Sequence, residues 1–440
     1  MTQASPARSR ADGVGPAIAR AGIVVAVLGA LAVGFATLTP SDQPPTADSF
    51  CLVCGDLGGV DVLLNVLLFM PLGAGLAMRR IPRWRAISAM SVASALIELS
   101  QLAIIPGRDA SFGDLTMNSI GGVLGYAVGA SLATLLLPTT GQARRLSLAW
   151  VAAWILVQAA ASFTLTPSPT EGTYYGQLAR ALGGRTAYPG RILSAHVGPL
   201  DLPDRDFGDS RAVAALMRRR EATVDIRLAT RASTSKLTSI ARIADGHEQE
   251  LMQLGADGLD VVFGVRTHAA ALKLRPAYYR LAHAMPSHLI PSALPDTVRL
   301  AATYAPPVVR LDVRTDARTS SAALRVTPAS AWRSIAPMTV YFDDSGFDAL
   351  LDAAWLGCLL LPAGYWMRFA LRRTSPFSGA GLPASIGAGL LYGYAQAPLL
   401  FGLATPAWWE LAGGVIGMTT GAVIAHVVAG QRDQRPDARA

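Results

Sequence analysis

The sequence predicts a polytopic α-helical membrane protein of about eight transmembrane helices in two degenerate four-helix repeats. An all-β jelly-roll sandwich is expected as an extracytoplasmic insert. Three observations lead there. Eight stretches are apolar enough to lie in a bilayer, arginine recurs at alternate connections between them, and the segment 166–348 alternates with period two. Of the 440 residues 51% are hydrophobic and only 15% charged, the balance of a membrane protein carrying a soluble portion. Much of the excess behind the formal net charge of +8 sits beside the apolar stretches, where topology requires it. No nucleic-acid motif accompanies it, so nucleic acid is not an expected partner.

In chain order, residues 1–18 are polar, contain Arg8 and Arg10, and read as a disordered cytoplasmic tail. The stretch 20–38 is apolar and lacks a small-residue cleavage site after it, so it reads as an uncleaved first span. Further spans are expected at about 61–78, 86–105, 115–137, 147–165, 350–368, 382–402 and 408–430. Arg79, Arg80, Arg83 and Arg85 follow the second span, Arg144 and Arg145 the fourth, and Arg368, Arg372 and Arg373 the sixth. Arg432, Arg435 and Arg439 close the chain. The intervening short connections are nearly free of Lys and Arg, with none between Thr39 and Val60 and only Arg108 between the third and fourth spans. Both termini are therefore expected in the cytoplasm of a bacterial cell (inner) membrane, with 166–348 outside. The expected domains are 1–18 as tail, 19–165 as first membrane domain, 166–348 as sandwich, 349–430 as second membrane domain and 431–440 as cytoplasmic tail.

The most informative stretch lies between residues 61 and 125. It reads Asp61-Val-Leu-Leu-Asn65, Phe69-Met-Pro71-Leu-Gly73, Glu98-Leu-Ser-Gln101, Pro106-Gly-Arg108, Asp114-Leu-Thr-Met-Asn118 and Gly121-Gly-Val-Leu-Gly125. A carboxylate or amide in hydrocarbon costs several kcal/mol unless it meets a partner or a wet cavity. Asp61/Asn65 and Asp114/Asn118 are spaced i,i+4 and Glu98/Gln101 i,i+3, so each pair shares one helix face. The loop charges put all three pairs near one end of their helices, the outer one, with Arg108 as counter-charge. An outer polar site of Asp61, Asn65, Glu98, Gln101, Arg108, Asp114 and Asn118 is thus expected. Its rival reading is a structural network that only fixes helix register.

These six elements, in this order, resemble the VanZ family over about 17–138. Those are bacterial membrane proteins named for an association with teicoplanin resistance. The resemblance implies a helical fold, a cell-envelope setting and a link to glycopeptide antibiotic tolerance, but no particular reaction.

The two ends of the chain repeat one another. Thr37-Leu-Thr-Pro-Ser41 is answered by Thr164-Leu-Thr-Pro-Ser168, and Asp61 before Pro71-Leu-Gly73 by Asp352 before Pro362-Ala-Gly364. Arg79-Arg80 is answered by Arg372-Arg373, Gln101 by Gln396, and Gly121-Gly-Val-Leu-Gly125 by Gly413-Gly-Val-Ile-Gly417. In the second half Leu356, Gly393, Leu403 and Pro406 replace the polar residues and Glu410 replaces Asn118. No comparable polar cluster is expected there.

Between spans five and six, runs such as 223–230, 238–244, 259–266, 298–304 and 308–314 alternate apolar and polar residues between Gly, Asp and Pro turns. About 180 residues suffice for one sandwich with its own core. Arg242-Ile-Ala-Asp-Gly, Glu250-Leu-Met-Gln-Leu-Gly and Val265-Arg-Thr resemble the concanavalin A-like (laminin-G type) domain, which implies a lectin-like role.

Cys51-Leu-Val-Cys54 lies in an outer loop, where a disulfide is permitted. Asp201, Asp204, Asp206 and Asp209 fit no calcium loop and read as turn formers. No metal or cofactor is expected. No Ser–His pair, HExxH or phosphate-binding loop supplies a catalytic residue, so catalysis stays open and binding is the better reading. The expected partners are membrane lipid and an envelope glycan or peptidoglycan-related ligand. The alternative is a membrane enzyme acting on a lipid-linked or peptidoglycan precursor.

Overall fold

The computed structural model describes residues 15–40, 51–107, 110–180, 186–230, 237–286, 296–371 and 381–433. Residues 1–142 and 143–440 form two compact units. Seven of the described helices are long and apolar enough to cross a membrane.

The first unit contains α1 (Gly15–Leu38), α2 (Gly58–Met78), α3 (Arg83–Ala103) and α4 (Phe112–Leu136). Helix α2 packs on the other three, and α1 and α4 approach it most closely through glycine. A Cβ placed on Gly125 would stand 2.0 Å from the Met70 carbonyl oxygen, so only glycine lets α4 come this near to α2. The opposite face of α1 presents Leu28, Leu31 and Phe35 to the surroundings, 60%, 64% and 79% exposed, as a lipid-facing stripe does. Pro82 precedes α3 in an extended conformation and Ser111 caps α4, its side chain accepting from the Asp114 N–H.

The second unit opens with α5 (Thr140–Thr164) and continues into two antiparallel six-stranded sheets. The strands are β1 (Tyr174–Leu178), β2 (Thr186–Ala187), β3 (Arg191–Val197), β4 (Leu200–Asp201), β5 (Ala222–Thr230) and β6 (Thr238–Asp245). They are followed by β7 (Glu250–Asp257), β8 (Asp260–Val265), β9 (Ala277–Leu281), β10 (Asp296–Ala305), β11 (Val308–Thr315) and β12 (Thr319–Arg325). One sheet runs β1-β6-β7-β8-β9, with β2 also on β6, its one parallel neighbour; the other runs β12-β11-β10-β5-β3-β4. Each expected alternating run lies on a strand. Ile226, Leu228, Leu300 and Leu311 of one sheet share a core with Ile243, Leu254, Phe263 and Tyr279 of the other. The short helices α6 (Ser210–Arg219) and α7 (His268–Ala271) interrupt the strands. Asp209 caps α6 by accepting from Ala212 N at 3.0 Å. Asp204 accepts from Leu178 N and pairs with Arg180, and Asp201 lies 2.9 Å from His196, so these aspartates serve the local backbone and neighbouring side chains.

A 3-10 helix (Pro328–Ile335) leads to α8 (Gly346–Ala370), α9 (Gly381–Leu391), α10 (Ala397–Leu400) and α11 (Trp408–Asp433). Between α9 and α10 the expected seventh span widens into a π turn over Tyr392–Gln396. Pro398 offers no N–H and its ring would meet the carbonyl four residues back, so a wider turn just before it relieves both conflicts. The glycine contact recurs within this unit. A Cβ on Gly417 would stand 2.0 Å from the Gly357 oxygen. By the sequence correspondence of Gly125 with Gly417 and Asp61 with Asp352, α11 is seated on α8 one helical turn away from where α4 sits on α2. Trp150 of α5 donates to Leu359 O at 2.7 Å and Trp154 to Leu390 O at 3.4 Å, so α5 packs with α8 and α9. The division between the compact units falls after Gln142, within the first turn of α5.

The sandwich shares its core with this unit's connecting segments: Leu165 and Leu403 are both buried in it, and Tyr304 donates to Leu165 O at 2.6 Å. Its margin also carries a pH-dependent element. Burial pushes the Asp343 carboxyl up, but Ser345 and the Arg280 guanidinium outweigh it and hold Asp343 below the usual carboxylate range. A depressed folded value means stability that is present above the unfolded value of roughly 4 and is lost as pH falls through the folded one. The thermal midpoint of the Asp343→Asn variant should therefore lie below wild type at pH 7, and the gap should close towards pH 3. A gap that widened on acidification would contradict this.

Candidate functional site

The candidate site of the first unit is gathered where α1 and α3 end and α2 and α4 begin. Ser111 is the residue that joins it. Its N–H donates to Glu98 Oε2 at 2.8 Å, and its hydroxyl oxygen accepts from Asp114 N at 2.9 Å. Across the bundle Asn65 Nδ2 donates to Asp114 Oδ1 at 2.5 Å. Deeper, Asn118 Nδ2 donates to the buried Ser94 hydroxyl at 3.0 Å; nearer the helix ends, Gln101 Nε2 donates to Thr37 O of α1 at 2.9 Å. Glu98, Gln101 and Asn118 are buried. Of the seven residues expected here, Asn65, Glu98 and Asp114 are joined through one network. Asn118 and Gln101 line the same end with partners of their own. Asp61 is exposed one turn before Asn65, and Arg108 lies outside the described residues. Cys51 and Cys54, 5.4 Å apart at Cα, are joined by a disulfide just before α2, and Gly113 N donates to Cys51 O at 3.1 Å.

Chemically this is an acceptor-rich site. Two carboxylates are held by backbone and amide donors, so they are positioned before any ligand arrives. Asn118 Oδ1 and Gln101 Oε1 are buried and have no hydrogen-bond partner among the described residues, an unmet cost at this end of the bundle. Ser111, Ser94 and Thr37 were not among the expected site residues. For Ser111 the signal was present, since Ser111-Phe-Gly-Asp114 has the spacing of a capping box. The Thr37 contact is made by a backbone carbonyl and has no sequence signature.

The expectation that the second half would lack a polar cluster is corrected. Arg333 of the 3-10 helix is buried, 3% exposed, and lies 2.8 Å from Asp348 and 2.7 Å from Asp352 of α8. Trp332 Nε1 also donates to Asp352, at 2.8 Å. Glu410 accepts from the Thr327 hydroxyl at 2.6 Å and from Ala407 N at 2.9 Å. Loss of the counterparts of Asn65, Glu98 and Asp114 did not empty this region, because residues 327–333 supply new partners to the retained Asp352 and to Glu410. The i,i+4 spacing of Asp348 and Asp352 was the available signal. Among the described residues no group of three or more His, Cys, Asp or Glu side chains is arranged to hold a metal ion.

No curated protein and no solved structure shows significant similarity to the chain. Residues 27–134, which contain α2, α3, nearly all of α4, the second half of α1 and the whole of the Ser111 network, match the family model described as VanZ/LLP1, so this part of the chain is similar to that family.

Proposed function

We propose that this protein binds, or helps to process, cell-envelope material at the polar end of its VanZ-family domain, on the outer side of a bacterial inner membrane. The observation that carries the reading is that Ser111 donates its N–H to the Glu98 carboxylate and accepts from the Asp114 N–H, while Asn65 donates to the Asp114 carboxylate, so both carboxylates are fixed at one end of an otherwise apolar bundle. A network that only fixed helix register would not need acceptors left over, as Asn118 Oδ1 and Gln101 Oε1 are. The arginines between α2 and α3 lie at the other end of the bundle, which supports a cytoplasmic position for that end. On the same rule both termini are cytoplasmic, the chain makes eight passes when the interrupted 381–400 segment is counted, and 166–348 is a lectin-like sandwich outside. The sandwich would gather a surface polymer and the polar site would hold its reacting or recognised group, a setting in which glycopeptide tolerance is one outcome.

The test is photo-crosslinking in intact cells from a benzophenone residue at Phe112, which is 54% exposed beside Ser111. An adduct that shifts on glycan digestion, and that disappears in the Asp61→Ala/Glu98→Ala double variant, is expected. An adduct unchanged in that variant would refute the site. Turnover of a bound lipid-linked precursor in the same experiment would favour a membrane enzyme over a binder.

Topology is checked separately. An export-dependent reporter fused after residue 250 should be active, as should a cytoplasm-dependent reporter fused after Arg373. Swapped activities would overturn the arrangement.

A further inference from the structure

One face of the sandwich carries a charge pattern that the fold does not require. In the sheet β12-β11-β10-β5-β3-β4 the inward residues alternate with outward ones, and cross-strand register aligns the outward ones into rows. Arg299 of β10 is opposite Arg227 of β5 on one side and opposite Arg314 of β11 on the other. Three arginines on three adjacent strands thus stand abreast, and all three are exposed. Directly opposed side chains in such a sheet are about 5 Å apart, and like charges at that separation repel. Arg310, four residues from Arg314 along β11 with the half-buried Asp312 between them, adds a fourth exposed guanidinium. Of these four only Arg299 has an ion-pair partner among the described residues, Asp225. Thr319 and Ser194 extend the arginine row at its two ends, in register with Arg314 and Arg227.

The row also has a definite place along the strands. The end of this sheet nearest the connections to the membrane helices is marked by Tyr304, which reaches Leu165 O, and by Arg325, which reaches Thr405 O. Arg299 is five residues from Tyr304 along β10, roughly 17 Å at strand rise. Lipid headgroups beside the membrane helices would have to span that separation to reach it, whereas a polymer in the same compartment would not.

From this juxtaposition we infer that the outward face of β5, β10 and β11 is a docking surface for a linear polyanionic polymer of the envelope. Arg227, Arg299 and Arg314 would grip successive phosphate or carboxylate groups. The guanidinium fork suits either anion, and a chain of anions laid across the strands would meet one arginine per strand. Mutual repulsion of the row in the free protein would be relieved on binding. The inference deepens the lectin-like reading proposed above by naming a charged rather than a neutral ligand, and it rests on that reading only for the compartment.

The test uses the full chain purified in detergent, with long-chain polyphosphate and polygalacturonate as probes and dextran as neutral control. Wild type should bind both polyanions at low salt, more weakly as salt rises, and should not bind dextran. The R227Q/R299Q/R314Q variant should bind at least about tenfold more weakly, as expected when several charge-assisted contacts are lost. A charge-matched R211Q/R218Q/R219Q variant on α6 should stay close to wild type. Because removing the row removes repulsion, R314Q alone should melt no lower than wild type, which separates lost binding from lost fold. Equal weakening in both triple variants, absence of polyanion binding at low salt, or equal affinity for dextran would each overturn the proposal. The Phe112 crosslink does not depend on these arginines, so failure here and failure of the polar site are distinguishable.

Discussion

Replacing Arg333 with alanine should lower the stability of the second unit by roughly 3–5 kcal/mol, on the order of 10 °C in thermal midpoint. The guanidinium is buried between Asp348 and Asp352, whose side chains are only 11% and 12% exposed. Removing it strands two carboxylates in a place poorly served by water, and that penalty exceeds the attraction itself. It also removes the cation 4.8 Å above the Trp332 ring and 5.0 Å from the Phe342 ring. The triple variant R333M/D348L/D352L should regain most of the loss, because it removes the unpaired charges along with the partner. Unfolding monitored in micelles distinguishes the cases. If R333A melted like wild type, or the triple variant melted lower still, the cluster would not be the clamp between the 3-10 helix and α8 that its geometry indicates.

The second large effect is expected in the first unit. Gly125→Leu puts a Cβ 2.0 Å from the Met70 carbonyl, a backbone atom that cannot swing aside. Helices α2 and α4 must then separate, at a cost of about 1–3 kcal/mol or more, and the Asn65–Asp114 bond made between the same two helices should be lost with them. Gly34→Leu on α1, where an added Cβ meets nothing within 4 Å, is the control and should be near neutral. Thermal unfolding of the pair tests this directly. Equal midpoints would mean that the close contact is not needed to hold α2 and α4 together.

Much of this architecture could be read from residue order because bilayer physics allows few solutions. An apolar stretch of twenty residues must be a helix there, and a polar side chain within it must find a partner, so Asn65, Glu98 and Asp114 were expected together and are found together. The alternating runs of 223–230 and 298–304 marked strands for the same kind of reason, since one face meets a core. What escaped was set by tertiary contact. Leu356 and Pro406 suggested an apolar second half, yet Arg333 and Thr327 arrive from outside the helices and build a polar cluster with Asp352 and Glu410. The π turn at Tyr392–Gln396 was hidden because Pro398 alone does not say whether a helix will break, kink or widen. The one-turn offset of α11 on α8 was equally invisible, since glycines every four residues present the same groove at each turn.

The central claim is that the Ser111 network faces water on the outer side of the membrane. A Ser111→Cys variant in a Cys358→Ala background isolates one free thiol, since Cys51 and Cys54 are joined and Cys358 is the remaining cysteine. Intact cells treated with a membrane-impermeant maleimide should label this thiol, and prior treatment with a small impermeant thiol reagent should block it. Labelling only after the cells are opened would put the network on the cytoplasmic side and contradict the account.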